Sequence, residues 1–217
     1  MTKPIISKLL EDYASQYSTS ESKTLAALNR ETNIKVPQAV MLSGHLQGTL
    51  LQMISKMVSP QRILEIGAFT GYSAICLAQG LKDNGILHTI DIEEELQDMC
   101  LDYIKKAGLE NKIIFHLGNA IDIIPTINEQ FDIVFIDADK QNYAHYYDMV
   151  FPKVPIGGYI IADNVLYEGE VVLPSELQSK NAKAIHFFNT KIKADTRIEH
   201  VLLPIRDGLM IMRKVNE

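Results

Sequence analysis

From residue 62 onward the chain alternates short apolar runs with helical segments, and no other feature restricts its fold so tightly. The runs are "RILEIG", "ILHTID", "KIIFHLG", "FDIVFID" and "GGYIIAD". Their length and their β-branched residues fit strands covered on both faces. Helical patterns follow at about Tyr72 to Leu81, Glu94 to Ala107, near Asp122, Tyr143 to Phe151, and Glu176 to Lys193. Such crossover connections place successive strands parallel. The ending breaks the rhythm. Only Ile205 to Asp207 separate "RIEHVLLP" from "GLMIMRKV", too few residues for a helix, so these two runs are expected to form an antiparallel hairpin. The expected fold class is α/β, a mostly parallel sheet with an antiparallel last strand and helices on both faces.

Residues 1–60 read as a helical part of the same unit, and 61–217 as the sheet core of a single domain. Ile6, Leu9, Leu10 and Tyr13 form one stripe, and Leu42, His45, Leu46, Thr49, Leu50, Met53, Ile54 and Met57 another, which Pro60 ends; both stripes are expected to pack in the core. Ser18 and Glu21 have capping-box spacing for a helix beginning near residue 19. With 47% hydrophobic and 22% charged residues and no run of about 18 apolar residues, the chain is expected to be soluble. The start "MTKPIISKLLEDYASQYS" lacks a basic region followed by a continuous apolar segment, so a cytoplasmic location is expected. Cys76 and Cys100 lie far from CxxC spacing and read as buried free thiols. A net charge of −6 argues against a nucleic-acid partner and suits a small neutral or cationic ligand better.

"LEIGAFTGYS" joins the first sheet strand to its helix. Gly67 and Gly71 permit a tight turn and close backbone approach, and Ser73 can offer a hydroxyl at the helix start. Asp91 follows the loop by about twenty residues, where an acid can hydrogen-bond both hydroxyls of a ribose. The spacing is GxxxG and not GxGxxG, so the loop is poorly suited to a pyrophosphate. Glu65 adds a carboxylate that repels phosphate and attracts a cation. A ribose plus a positive charge points to S-adenosylmethionine.

Two strands end in acids. "FDIVFID" closes on Asp137, with Asp139 and Lys140 just beyond, and "IIADN" closes on Asp163 and Asn164. Taken singly, such acids cap following helices. On neighbouring strands their ends lie about 5 Å apart, and adjacent carboxylates do not both stay ionised cheaply without a cation between them. Two carboxylates and an amide oxygen make a hard set suited to Mg²⁺, Ca²⁺ or Mn²⁺. Lys140 has two open readings: a base whose pKa is lowered by nearby cations, or an exposed lysine paired with Asp139. The six histidines show no HxH or HExxH spacing; His45 alone is near a site motif. No nucleophile elbow or Walker loop occurs.

Together "LEIGAFTGYS", "TIDIE", "FDIVFIDADKQNY", "IIADNVLYEG" and "LPIRDGLMIMRK" resemble the metal-dependent O-methyltransferases of the caffeoyl-CoA and catechol type, in particular small bacterial members, from about Val36 to Lys214. The resemblance implies a class I methyltransferase sheet of seven strands with a reversed last hairpin, a homodimer, S-adenosylmethionine as donor and Mg²⁺ as the usual metal. By the same resemblance Met41, Ser43, Glu65, Gly67, Ser73, Asp91 and Ala120 bind the donor and Asp137 borders it. Asp137, Asp163 and Asn164 fall on the metal ligands, and Lys140 on the base. Met41, Ser43 and Ala120 rest on the resemblance alone. Gln47 stands where the catechol enzymes have a lysine, and His45 where they have an acid.

The expected activity is methylation of one hydroxyl of a catechol-like small molecule. Three rivals stay open: an acyl-CoA-linked catechol acceptor, a nicotinamide-dependent oxidoreductase that shares the βαβ units, and a cofactor-binding module without turnover. The polar connection "YEGEVVLPSELQSKNAK" is long enough to serve as a lid.

Overall fold

The computed structural model describes residues 8–217. Seven strands form one sheet: β1 (Arg62–Ile66), β2 (Ile86–Asp91), β3 (Ile113–Leu117), β4 (Ile133–Ile136), β5 (Tyr159–Ala162), β6 (Ile198–Leu203) and β7 (Leu209–Lys214). Their order is β3-β2-β1-β4-β5-β7-β6. Strands β1 to β5 pair in parallel, and β7 runs antiparallel to both β5 and β6. This is the sheet expected from the alternating runs and the final hairpin. The order reverses beside β1, so the crevice beyond the carboxyl ends of β1 and β4 is where a ligand is expected to bind.

Side chains alternate along each strand, and both faces are buried. Leu64, Ile66, Val134 and Ile136 point into one core with Tyr143, Tyr147 and Phe188. Ile63, Ile133 and Phe135 point into the other with Leu51, Ile75 and Cys100. The first core is covered by α7 (Tyr143–Val150) and α8 (Lys180–Ala194), the second by α3 (Gly44–Val58), α4 (Tyr72–Ala78) and α5 (Glu94–Lys106). Both cysteines are free and buried, as their apolar helical context predicts.

The N-terminal part departs from the sequence reading in three places. The helix expected near residue 19 is α2 (Lys23–Lys35), and its cap is Ser22, whose Oγ accepts from Leu25 N at 3.2 Å. Ser18 instead turns back to Ala14 O at 2.8 Å, closing α1 (Lys8–Gln16), and Glu21 accepts from Tyr72 Oη at 2.5 Å. Second, the stripe along α3 supplies only part of the buried surface: Leu42 is buried and Leu50 and Ile54 pack half-buried against the core. Gln47, Gly48, Leu51 and Ser55 face inward while Met53 and Met57 are 57% and 81% exposed. The reason is close approach to α4: a Cβ on Gly48 would lie 2.5 Å from the Tyr72 ring, and Ser55 Oγ donates to Leu77 O at 2.5 Å. Only small or hydrogen-bonded side chains fit there. Third, no residue of α1 is buried, and Leu9, Leu10 and Tyr13 are exposed; Ile6 lies outside the described residues. The helix expected from Glu176 starts later, at Lys180, because Ser179 caps it by accepting from Ala182 N.

Candidate active site

The carboxyl ends of β1, β2, β4 and β5 open onto one cavity of about 1440 Å³. Met41, Ser43, Gly67, Ser73, Asp91, Ala120, Asp137, Lys140, Asp163 and Asn164 all line it. Seven residues singled out by their chemistry and three, Met41, Ser43 and Ala120, given by the resemblance alone are thereby brought together.

The loop after β1 is shaped by Gly67. Its φ is +99°, and an added Cβ would lie 2.0 Å from the carbonyl oxygen of Asp137. Only glycine allows β1 and β4 to approach this closely at their ends. Asp91 fixes the loop from the other side: Oδ2 accepts from Phe69 N at 2.6 Å and Oδ1 from Glu93 N at 2.9 Å. Each oxygen keeps a lone pair for a further donor such as a ribose hydroxyl. Ala120 opens α6 (Ala120–Ile123), capped by Asn119.

Glu65 is the exception among the named residues. It is completely buried behind the loop, where Oε2 accepts from Thr89 Oγ1 at 2.5 Å and Oε1 has no hydrogen-bond partner. Burial pushes its carboxyl up to about 8, and the Asp137 and Asp91 charges add to that. Glu65 is therefore neutral at pH 7 and, set behind the loop, does not supply the cation-attracting carboxylate expected from the sequence.

The acidic strand ends are adjacent because β4 and β5 pair in register, Ile136 opposite Ala162, so Asp137 and Asp163 follow side by side. Asp163 is buried, and its Oδ2 accepts from Gln47 Nε2 at 2.6 Å and its Oδ1 from Asn164 N at 2.7 Å. Burial and then the Asp137 charge push its carboxyl up to about 7, while those two donors favour the anion. Asn164 adopts φ +55°, turning the chain sharply after β5.

Lys140 does not pair with Asp139. Its Nζ donates to Asp137 Oδ1 at 3.0 Å and to Tyr143 Oη at 2.8 Å, and the side chain is only 14% exposed. Burial opposes its charge, but Tyr143 and Asp137 outweigh burial and hold the ammonium above the usual lysine range. Asp139 is occupied elsewhere, accepting from Tyr146 Oη and Asn142 Nδ2. Burial likewise keeps Tyr143 a neutral phenol, whose hydroxyl donates to Asp163 O at 3.0 Å.

Sequence reasoning missed several lining residues. Tyr146 was legible only as a helix position, and Leu10, Glu11 and Ala14 reach the cavity from α1; Tyr143 is fully buried and reaches the site only through Lys140. Arg206 and Asp207 come from the β6–β7 hairpin loop, brought in by contacts spanning more than 150 residues in the case of Arg206. His45 is half-buried and meets Thr19 O at 2.6 Å, tying the connection between α1 and α2 to α3.

The O-methyltransferase family model matches residues 15–215, nearly the whole chain. The chain belongs to the O-methyltransferase family. This member is 35% identical over 199 residues to caffeoyl-CoA O-methyltransferase 1 of Eucalyptus globulus, covering 86% of this chain and 80% of the relative. It is also similar to the O-methyltransferase of Bacillus cereus solved in complex with SAH (TM-score 0.85, 29% identity, 95% of this chain and 97% of that one). The O-methyltransferase TomG from Streptomyces achromogenes, solved in complex with SAM, matches with a TM-score of 0.88 at 25% identity, over 96% of each chain. The resemblance to O-methyltransferases of the caffeoyl-CoA type drawn from the motifs is thereby supported over residues 15–215.

The donor set of this O-methyltransferase fits a hard divalent ion. Among the described residues no three His, Cys, Asp or Glu converge as a metal site; an ion here would rest on Asp137, Asp163 and the Asn164 amide oxygen, with water and substrate completing it. Each Asp163 oxygen accepts one hydrogen bond, from Gln47 or from Asn164, and keeps a lone pair that an ion there would use.

Proposed function

We propose that the protein transfers a methyl group from S-adenosylmethionine to one hydroxyl of a catechol-like small molecule, with a divalent ion, Mg²⁺ or else Mn²⁺ or Ca²⁺, held by Asp137, Asp163 and Asn164. The observation that carries this reading is the β4–β5 register, which sets two acids, Lys140 and the donor loop on one cavity. The family match and neighbours solved with SAM and SAH support the donor. They leave the nicotinamide reading without support, as does the GxxxG loop.

A divalent ion at those ligands supplies Lewis-acid polarisation of substrate oxygens and a template for their orientation. For Lys140 to take the hydroxyl proton, its ammonium must first release a proton to solvent. Two directions at its Nζ are committed, to Asp137 and to Tyr143, and the Tyr143 proton is itself committed to Asp163 O, so that Oη only accepts. Once neutral, the amine keeps those two contacts and has one lone pair left for the cavity it lines. Positive charge brought into the cavity favours that neutral form. Tyr167 and Glu168, in the connection after β5, also line the cavity and make that connection a candidate lid.

The acyl-CoA acceptor is the second reading, favoured by the relatives' names. Against it, the two cations that line the cavity among the described residues, Lys140 and Arg206, are both already bonded to groups of this chain. Methylation of a catechol panel and of caffeoyl-CoA, each with Mg²⁺ and then with chelator, separates the readings. Undiminished methylation in chelator removes the metal; tight donor binding without any methylation restores the module without turnover.

A homodimer, implied by the family resemblance, belongs to this reading, and the exposed Met53 and Met57 are where it is probed. A small-molecule acceptor, no nucleic-acid partner and a cytoplasmic location belong to it too; among the described residues no helix is long and apolar enough to cross a membrane.

A further inference from the structure

Asp163 is held from behind by a chain of two side chains that neither touch the donor loop nor supply a metal ligand. Arg206, in the loop between β6 and β7, adopts φ +50°, a left-handed conformation disfavoured for a residue with a side chain. The loop is kept in place by close packing: a Cβ on Gly208 would lie 2.5 Å from Leu166. From there Arg206 Nη1 donates to Leu42 O at 2.9 Å, to Ser43 O, and to Gln47 Oε1 at 3.4 Å. Gln47 is 1% exposed, and its Nε2 donates to Asp163 Oδ2 at 2.6 Å.

An amide is nearly symmetric in shape but not in charge. Turning the Gln47 amide over would set its NH₂ against a guanidinium and its oxygen against a carboxylate, two unfavourable contacts for two favourable ones. Arg206 therefore reinforces the orientation in which the Gln47 amide donates to Asp163. The Asp163 carboxylate then has one N–H donor on each oxygen, from Gln47 and from Asn164, and its plane is fixed. Each oxygen retains a lone pair for a cation. Outer hydrogen bonds of this kind change metal affinity by about 10- to 100-fold.

We infer that Gln47 and Arg206 are positioning residues for the divalent-ion site, Arg206 acting through the Gln47 amide on Asp163. The inference rests on the metal reading of Asp137, Asp163 and Asn164.

The test is Mn²⁺ binding to the full chain without donor or acceptor, followed by electron paramagnetic resonance of the free ion, for wild type, Gln47→Leu, Arg206→Met and the double variant. Gln47→Met stands in should Gln47→Leu not fold, with far-ultraviolet circular dichroism as the check. Gln47→Leu is expected to weaken Mn²⁺ about tenfold or more, Arg206→Met less, and the double variant no more than Gln47→Leu alone, because both act along one path. Arg206→Lys, which keeps a donor, should recover part of the loss, and excess Mn²⁺ should restore kcat in Gln47→Leu. Wild type that does not bind Mn²⁺ overturns the metal reading itself. Wild type that binds while Gln47→Leu binds equally well overturns the role of Gln47. Losses that multiply in the double variant overturn the path from Arg206 through Gln47.

Discussion

Replacing Gly67 by alanine tests whether the crossing of β1 and β4 builds the site. The new methyl would sit 2.0 Å from Asp137 O, a backbone atom that no side-chain rotation can move aside. The backbone adds a cost of its own, since φ +99° is strained for alanine. Strain of about 1–2 kcal/mol plus separation of the two strand ends gives a loss of about 3 kcal/mol, or about 6–12 °C in Tm for a chain of this size. Gly108, at φ +71° with nothing within 4 Å of an added Cβ, is the control for backbone strain alone; Gly108→Ala should lose only about 1 kcal/mol. Thermal melts and calorimetric titration with S-adenosylmethionine read both effects. Gly67→Ala should also bind the donor at least tenfold more weakly, because relieving the clash moves the loop and Asp137 together, whereas Gly108→Ala should bind it normally. Equal Tm losses in the two variants, with donor affinity intact in Gly67→Ala, would show that the close approach plays no part in the site.

Lys140→Met should lower kcat by about 10²- to 10⁴-fold, the usual range for a lost general base, with little change in donor affinity by titration. Glu65 carries a pH signature. Its carboxyl is raised from 4.5 to about 8 in the fold, so its stabilising effect is full below about pH 4.5 and lost as pH rises through 8. Glu65→Gln should therefore gain Tm over wild type at pH 8.5 and lose that gain at pH 4.5, both without donor; a gain independent of pH would contradict the buried carboxyl. Met57→Glu combined with Met53→Glu should convert a dimer to a monomer in sedimentation velocity, and a wild-type monomer would dispose of the dimer outright.

What was legible in the sequence depended on how local its cause is. Strands β1 to β5 are bounded by apolar runs that only a two-sided sheet can bury, so both their number and direction followed. Asp137 and Asp163 were paired correctly because the order of neighbouring strands fixes which ends meet. The inner face of α3 was misread because Gln47, Gly48 and Ser55 look polar or featureless in sequence, and their burial depends on how closely α4 approaches. Ser18 and Ser22 both carry a cap-forming hydroxyl, and the choice between them was settled by Tyr72 taking Glu21. Lys140 could not be assigned a partner, since its contact with Tyr143 needs a helix to start immediately after the loop. Arg206 was out of reach: its partners at residues 42, 43 and 47 are joined to it only by the completed sheet.

The position of β7 between β5 and β6 has a further effect on how the molecule comes into being. A nascent chain that has grown to residue 208 holds six of the seven strands, yet β6 has nothing to pair with and the outer edge of β5 stands open. An unpaired edge of this kind invites pairing with another chain. On the ribosome, the hazard ends only when residues 209–214 emerge and slide into the gap.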